Sequence, residues 1–273
     1  MRRPVAVVVA LLLLGGCGRA PLDLPDGPST PLDDAGPFVS QAQPHCDGLR
    51  TLTAELGLSG RVGSQKLRGR LLAGFQQPDA IRLEGLAPFG EPVFILAGRG
   101  GQATLWMPRD DQVLPSAEPA AIIEALAGVR LGPDDLRSWL AGCANAGALG
   151  GTTGRRYGDE WVALNTAATT AWLRRQRGRW QLAAVEREGI IVEFMADAGL
   201  QPTRLRVRRP AAGDLPAVDL SLAVRDVERN VELPQEAFEV NVPAGAAETT
   251  VEDLRRSGPL RHVGAGDELP VGR

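Results

Sequence analysis

Histidine, cysteine and aromatic residues are scarce in this chain of 273 residues. Its two histidines, His45 and His262, are too few for a histidine-rich metal site and leave little room for a Ser-His-Asp triad. The nucleotide-binding patterns G-x-x-x-x-G-K-[ST] and G-x-G-x-x-G and the hydrolase pattern G-x-S-x-G are missing from the sequence. We therefore expect a protein without catalytic residues, metal or cofactor.

Two glycine-rich stretches and one acidic pair are the remaining candidates for chemistry. GRGG at 98–101 and GGTTG at 150–154 fit hairpin turns better than phosphate-binding loops, because neither opens a helical pattern. Asp110 and Asp111 follow a strand pattern and are expected to face solvent. A hydrolase that uses carboxylates stays open as the weakest function class, since it needs two acids to converge in a cleft.

No hydrophobic run is long enough to span a bilayer. The run Val5 to Leu14 follows Arg2 and Arg3 and has the proportions of a signal peptide. Its end, Leu14-Gly15-Gly16-Cys17, resembles the lipobox of bacterial lipoproteins, in which the cysteine becomes the lipidated first residue. A buried core helix ending in Cys17 is the alternative, and it fits poorly with the two arginines. Gly18 resembles the residue that directs lipoproteins to the outer membrane.

The chain after Cys17 is predicted to contain a tether, one domain and a tail. Residues 18–37 are rich in Pro, Gly and Asp, which predicts a tether of up to roughly 60 Å. Residues 38–244 are assigned to the folded domain, and residues 245–273 to a partly disordered C-terminal extension with one short helix. Loss of Arg2 and Arg3 leaves 28 basic against 33 acidic residues, a formal charge of −5. Scattered, mildly acidic charge predicts no electrostatic binding of nucleic acid or anionic lipid head groups.

The two other cysteines, Cys46 and Cys143, are candidates for a disulfide. A signal peptide implies an oxidising compartment, in which these thiols can pair. Two buried thiols are the alternative.

Most of the domain has the alternation of β-strands. Leu49, Leu52 and Leu56 at helical spacing predict one initial helix over 44–56. From Gly60 onward, alternation and turn signals predict an antiparallel meander. The predicted strands are RVGSQKLRGRLLAGF, AIRLEGL, PVFILAG, QATLWM, EWVAL, TTAWLRR, RWQLAAVE, GIIVEFMA, TRLRVRR, AVDLSLAVRDV and FEVNV.

Two short amphipathic helices interrupt these strands, over about 119–129 and from Pro133 onward. Asp134 and Asp135 lie in the first turn of the second helix, where carboxylates complement the helix dipole. The predicted fold class is therefore mainly β with α: a curved antiparallel sheet forming an unclosed half-barrel, covered on its concave side by short helices.

This order of elements resembles the LolA/LolB family of bacterial lipoprotein carriers and receptors, and is closest to the outer-membrane receptor LolB over about 58–142. Phe75-Gln76-Gln77 looks like an aromatic-Gln-Gln at the end of an early strand of that receptor, and 81–94 matches the following hairpin. LRSWLAG at 136–142 is similar to its L-R-x-W-h-x-G signature, in which h is apolar. The resemblance implies an apolar cavity for acyl chains beneath helical lids. After residue 142 it weakens to strand pattern.

In that family the hairpin turn reads N-P-L-G, and its exposed leucine is implicated in delivering acyl chains to the membrane. The corresponding run here is 87–90, with Pro88 and Phe89 at its centre. By resemblance these two residues form a membrane-contact loop. A phenylalanine side chain gains about 1.5 to 3 kcal/mol in an apolar medium, which suits transient contact. The alternative is that Phe89 packs against Leu86 or Pro92 beneath its own turn.

The first functional hypothesis is an outer-membrane lipoprotein, without catalysis, that binds acyl chains and helps to receive or insert lipoproteins or lipids. Its partners would be the membrane, through the lipid anchor, acyl chains and a soluble LolA-like periplasmic carrier, with no nucleic acid. Because aromatic residues make up 4% of the chain, an apolar cavity would be lined mainly by aliphatic side chains. The candidate lining residues are Phe75, Ile81, Leu83, Ile95, Leu105, Ile122, Trp139, Leu182 and Phe194.

The second hypothesis is a structural or scaffold lipoprotein. Its half-barrel would have a filled core, and its surface would dock an envelope protein. A continuous apolar cavity favours the first hypothesis, whereas a packed interior with an exposed patch elsewhere favours the second.

Overall fold

The computed structural model describes residues 21–86, 92–144, 153–166, 168–197 and 199–257. Within these ranges the chain forms fifteen strands, four α-helices and two short 3₁₀ turns at Pro108–Asp110 and Gln235–Phe238. The strands are β1 (Thr30–Leu32), β2 (Thr51–Val62), β3 (Gln65–Gln76), β4 (Ala80–Leu86), β5 (Phe94–Arg99), β6 (Gln102–Met107), β7 (Gln112–Ala117), β8 (Thr153–Tyr157), β9 (Trp161–Asn165), β10 (Thr170–Gln176), β11 (Arg179–Arg187), β12 (Ile190–Met195), β13 (Arg204–Arg209), β14 (Val218–Arg229) and β15 (Ala247–Glu248). The helices are α1 (Gly36–Ala42), α2 (Pro119–Ala127), α3 (Pro133–Leu140) and α4 (Val251–Ser257).

All fifteen strands belong to one sheet in the order β1-β8-β9-β10-β11-β12-β13-β14-β2-β3-β4-β5-β6-β7-β15. Neighbouring strands are antiparallel, except that β15 runs parallel to β7. The two long strands β14 and β2 pair with each other and join the meander β8–β14 to the meander β2–β7. Because β1 and β15 occupy opposite edges, the sheet is unclosed. The predicted fold class is confirmed.

One face of the sheet carries the core. Leu52, Leu56 and Leu58 alternate toward it on β2, and the same alternation continues on the neighbouring strands. The helices α1, α2 and α3 supply apolar side chains to this core, and α4 packs on α2 through Leu254, which is 1% exposed. In the described part of the chain, no helix has the length and apolar character required to cross a membrane.

Both predicted lid helices are confirmed, and local signals set their ends. Pro119 and Pro133 occupy first-turn positions, where a missing N–H costs nothing. Gly128, at φ +71°, donates its N–H to Glu124 O and ends α2 at Ala127, two residues before the predicted end. The Gly132 N–H donates to Asp135 Oδ2 over 3.0 Å at the start of α3.

The predicted helix over 44–56 is wrong. Residues 51–56 belong to β2, whose apolar set also fits alternation and whose two sides pair with β3 and β14. The predicted strand FEVNV is wrong as well, because Phe238 ends a 3₁₀ turn and the next residues pair with no strand. The stretch RVGSQKLRGRLLAGF contains a hairpin turn at 63–64 and so contributes to both β2 and β3.

The folded body extends beyond residues 38–244 at both ends. β1 pairs with β8 and α1 begins at Gly36, so residues 30–37 are not a free tether. At the other end β15 pairs with β7, and α4, the short helix predicted in the C-terminal extension, packs on α2.

Candidate functional site

The sheet opens between β11 and β12. These strands pair only from Ala184↔Glu193 to Arg187↔Ile190, although β11 begins at Arg179 and β12 ends at Met195. The unpaired part of β11 keeps its bonds to β10, and that of β12 keeps its bonds to β13. The strands therefore diverge and leave a space of about 800 Å³, here named the seam cleft. Its volume falls within the range of roughly 300 to 1,000 Å³ typical of ligand sites.

Apolar side chains line one part of the seam cleft, here named the apolar floor. Leu182 and Phe194 lie on the two diverging strands, and both belong to or pack against the main core. Leu200 and Pro202 lie beside them, on the segment between β12 and β13. The cleft therefore passes from the outer face of the sheet to side chains that contact the interior.

The mouth of the seam cleft is charged but balanced. Its basic side chains are Arg61, Arg174, Arg204 and Arg206, and its acidic ones are Asp23, Glu193, Asp197 and Asp219. Arg206 Nε and Nη2 donate to the two carboxylate oxygens of Asp219, each over 2.8 Å. This hydrogen bond is the main reason that the pKa of Asp219 lies below its usual value and the pKa of Arg206 above its own.

An N-terminal segment covers part of the mouth. The Leu22 N–H donates to Glu193 Oε1 over 3.1 Å, and Arg208 Nε donates to the same oxygen over 2.6 Å. Leu22 and Leu24 also pack on a small cluster on the outer face of the sheet. That cluster consists of Ala163, Trp172 and Ala184, with Tyr157, Trp161 and Ile191 at its border.

Most residues predicted to line a cavity belong to the buried core cluster. The seven in the buried cluster are Phe75, Ile81, Leu83, Leu105, Ile122, Trp139 and Leu182. Phe194 packs against this cluster and is partly exposed. Of these, the structure brings Leu182 and Phe194 together at the seam cleft.

Ile95 lies on the opposite face, so its predicted place in the interior is wrong. It pairs with Glu84 on β4 and Trp106 on β6, both outside the main core, while its neighbours Phe94 and Leu96 point into the core. The run VFILAG is apolar on both faces, and alternation therefore could not decide which residues face inward.

The stretch LRSWLAG fixes α3 to the rest of the fold. Arg137 is 4% exposed and donates to Leu49 O and Asp134 Oδ1. Trp139 is buried beneath Arg187, whose Cζ lies 5.6 Å from the ring centroid. Gly142 adopts φ +79°, and a Cβ there would lie 2.6 Å from Leu200 O. In this chain the stretch therefore has structural contacts, and its last residue lines the seam cleft.

A disulfide joins Cys46 to Cys143 at the end of α3. His45 lies beside it, with Nε2 2.9 Å from Ala141 O, and Arg229 Nη2 donates to the same carbonyl over 2.9 Å. His45 and the two sulfurs lie within 4.8 Å of one another. Because the disulfide occupies both sulfurs, this group leaves a single imidazole nitrogen for any metal ion.

Burial lowers the pKa of His45 from its ordinary value near 6.5, and the nearby charge of Arg229 lowers it further, against the hydrogen bond to Ala141 O. Because the folded state disfavours the imidazolium, the contribution of His45 to the free energy of unfolding is most favourable above pH 6.5. That contribution declines as pH drops below 6.5 and through the folded pKa. The slope is at most about 1.4 kcal/mol per pH unit for one proton.

We expect His45→Gln to remove this slope from urea-unfolding free energies measured between pH 7 and 5. His262→Gln is the matched control, since it makes the same change at the other histidine of the chain. Equal pH slopes in the wild type and His45→Gln would contradict the assignment.

Three predicted functional residues lie outside the described part of the chain: Cys17, Pro88 and Phe89. Lipidation and membrane contact therefore stay predictions from the sequence. The seam cleft itself was not predicted. The available signal was weak, since GIIVEFMA is apolar on both sides at Ile191 and Phe194, as a strand that is covered on both faces would be.

No family model matches the chain, and no curated protein matches it at a significant level. Solved structures that are similar to it include the following three. A LolA superfamily protein from Nitrosomonas europaea has 13% identity and a TM-score of 0.49, with 76% of this chain and 97% of that chain covered. A DUF1329 family protein from Desulfovibrio piger has 12% identity and a TM-score of 0.44, with 72% and 92% covered. A domain described as an outer membrane lipoprotein-sorting protein, from Vibrio parahaemolyticus, has 9% identity and a TM-score of 0.41, with 75% and 94% covered. At identities of 13% or less and TM-scores below 0.5, these neighbours assign no role to any residue of this chain.

Proposed function

We propose that this protein is a lipoprotein of the bacterial cell envelope, anchored through Cys17, that holds an acyl chain in the seam cleft without covalent catalysis. The finer proposal is an outer-membrane receptor of the LolB type, which receives lipoproteins or lipids from a soluble LolA-like carrier. The observation that carries the proposal is the opening between β11 and β12, where a space of about 800 Å³ leads to apolar side chains.

The chemistry of the cleft supports binding rather than catalysis. The carboxylates of Glu193 and Asp219 are held by Arg208 and Arg206, respectively. The hydrogen bonds from Arg206 stabilise the charged form of the Asp219 carboxylate and make it a poor proton donor. The apolar floor, by contrast, offers an acyl chain the free-energy gain of leaving water.

A second candidate is the docking of an envelope protein on the outer face of the sheet. A groove of about 380 Å³ lies there between β2–β4 and the 3₁₀ turn at Gln235–Phe238. Leu72 on its border is 43% exposed, although it is a large apolar side chain. Phe238 on the other border is buried. An apolar groove of this kind suits a protein partner more than an acyl chain because it is shallow and open.

The test uses a chain that begins at Gly18, which retains every described residue, and a dansylated fatty acid as the probe. We expect the wild type to bind the probe with one-to-one stoichiometry. Phe194→Asp places a charge against the apolar floor and should weaken binding about 10- to 100-fold, the equivalent of losing a buried phenyl contact. Ile95→Asp is the matched control, since it makes the same change at a partly exposed residue on the opposite face.

Thermal unfolding of both variants shows whether they fold. Absence of probe binding by the folded wild type would refute acyl binding and leave protein docking as the better proposal. Equal loss in the two variants would place any bound acyl chain outside the seam cleft.

A further inference from the structure

Six arginines of this acidic protein lie together at one end of the sheet. The segment 161–185 contains four arginines and no acidic residue, whereas the whole chain has 33 acidic against 30 basic residues. The four lie on the hairpin of β10 and β11, and two more lie on β8. This group, here named the basic end, consists of Arg155, Arg156, Arg174, Arg175, Arg177 and Arg179. The expectation of scattered charge is therefore wrong for this part of the surface.

The strand register brings these residues to the same end. Arg174 pairs with both Trp161 on β9 and Gln181 on β11, and Tyr157 pairs with Trp161 at the adjacent turn. The tip of the hairpin is a tight turn, with Arg177 at φ +50° and Gly178 at φ +80°. A two-residue turn of this type holds the flanking arginines close together and presents them to solvent.

Few of these cations are neutralised. Among the described residues, Arg174 is the one member of the basic end with a carboxylate in reach, Glu160 Oε2 at 3.6 Å. Arg155 donates to Ser29 through Nε over 2.8 Å, which leaves its charge unpaired. The segment 153–185 contains all six arginines and two acidic residues, Asp159 and Glu160.

Aromatic rings accompany these charges. Arg174 Cζ lies 5.2 Å from the centroid of the Trp161 ring, and Arg156 Cζ lies 5.5 Å from that of Phe38. Trp180, on the hairpin itself, packs edge-on against Phe38 at 5.2 Å. Partly exposed tryptophan beside arginine is the combination that suits the boundary between lipid head groups and acyl chains.

We infer that the basic end binds the surface of a bilayer that contains anionic phospholipid, with the β10–β11 hairpin pointing at the head groups. The position of the N-terminal segment supports the same orientation toward the membrane. This part of the argument alone rests on the lipid anchor at Cys17 proposed above. Three residues lie between Cys17 and Pro21, so the four steps from one Cα to the other span at most about 14 Å. Pro21 lines the seam cleft together with Arg174 and Trp161, so an anchor at Cys17 would hold this end of the sheet near the membrane.

The experiment measures sedimentation of the chain beginning at Gly18 with two kinds of vesicle. One kind contains phosphatidylglycerol, and the other consists of phosphatidylcholine alone. We expect binding to the first kind only, and loss of binding as salt is raised. Each arginine near an anionic surface contributes roughly fivefold to binding, so Arg175→Gln/Arg177→Gln should weaken it about 25-fold. Both residues are exposed and line no part of the seam cleft.

The matched control is Arg68→Gln/Arg70→Gln, which removes two exposed arginines from β3 in the other half of the sheet. Equal binding to both kinds of vesicle, or equal loss in the two double variants, would overturn the inference. The dansylated fatty acid is measured without vesicles and should bind the Arg175→Gln/Arg177→Gln variant as it binds the wild type. The two proposals can therefore fail separately.

Discussion

Replacing Cys46 and Cys143 together by serine is expected to lower the free energy of unfolding by about 4 kcal/mol. The disulfide closes a loop of 97 residues, and in the chain-entropy model a loop of this size is worth about 4 to 5 kcal/mol. Both cysteines are buried, at 8% and 2% exposure, so the serine hydroxyls would also lack water. Urea unfolding followed by tryptophan fluorescence measures the change.

A second signature separates the loss of the crosslink from the loss of packing. Without the disulfide the unfolded chain expands, and the urea dependence of the free energy should become steeper. The reduced wild type should behave like the double serine variant. A loss of less than about 1 kcal/mol, with an unchanged slope, would show that the unfolded chain gains little freedom from the missing bond.

The disulfide also connects two segments that line the seam cleft. Ala42 and Gly142, which line the seam cleft, lie close in sequence to Cys46 and Cys143. Gln43 Oε1 accepts from the Ala144 N–H over 3.1 Å at the same junction. Because one residue pair ties together the two segments beneath the cleft, we expect the folded serine variant to bind the acyl probe less tightly than the wild type.

The parts of the fold that could be predicted from sequence are those set by local signals. The two lid helices carry proline at the start and apolar residues on one side, and glycine ends α2. The strands β13 and β14 alternate clearly because one face meets the core and the other carries polar side chains. Turn residues at 100–101 and 177–178 gave hairpins in the expected places.

The helix over 44–56 was predicted wrongly because the same apolar residues fit both helical spacing and strand alternation. Leu52 and Leu56 satisfy helical spacing, but with Ala54 and Leu58 they also satisfy alternation. Pairing with β3 and β14 decides in favour of a strand, and neither partner is near in sequence to the start of β2. The prediction of a free tether overlooked the contacts of Leu22 and Leu24 for a similar reason. These two residues pack on residues more than 100 positions away in sequence.

The seam cleft could not be predicted because it arises from a difference between strand pairings. Leu173↔Leu182 and Trp172↔Ala184 mark a shift of register between β10 and β11, which leaves Ala183 without an opposite residue. An extra residue of this kind bends the strand. The bend lies where β11 leaves β12, and the pattern of apolar residues contains no information about it.

Arg187→Met is expected to lower the free energy of unfolding by about 3 kcal/mol. Arg187 Nη1 and Nη2 donate to the two carboxylate oxygens of Asp135 over 2.7 and 2.8 Å. Asp135 is 7% exposed, so methionine would leave a nearly buried carboxylate without these two bonds. Removing one partner of a buried ion pair lowers the free energy of unfolding by about 3 to 5 kcal/mol. Because Arg187 is partly exposed, we expect a loss at the low end of this range.

The companion variant Asp135→Asn/Arg187→Met tests the cause. If the loss of the arginine from the Asp135 carboxylate is what destabilises Arg187→Met, neutralising this carboxylate should recover part of the loss, and the double variant should be more stable than the sum of the two single losses predicts. Arg256→Met is the matched surface control, because its ion pair with Asp253 is exposed and should contribute less than about 1 kcal/mol. Strict additivity in urea unfolding would instead attribute the loss to the contact between Arg187 and the Trp139 ring.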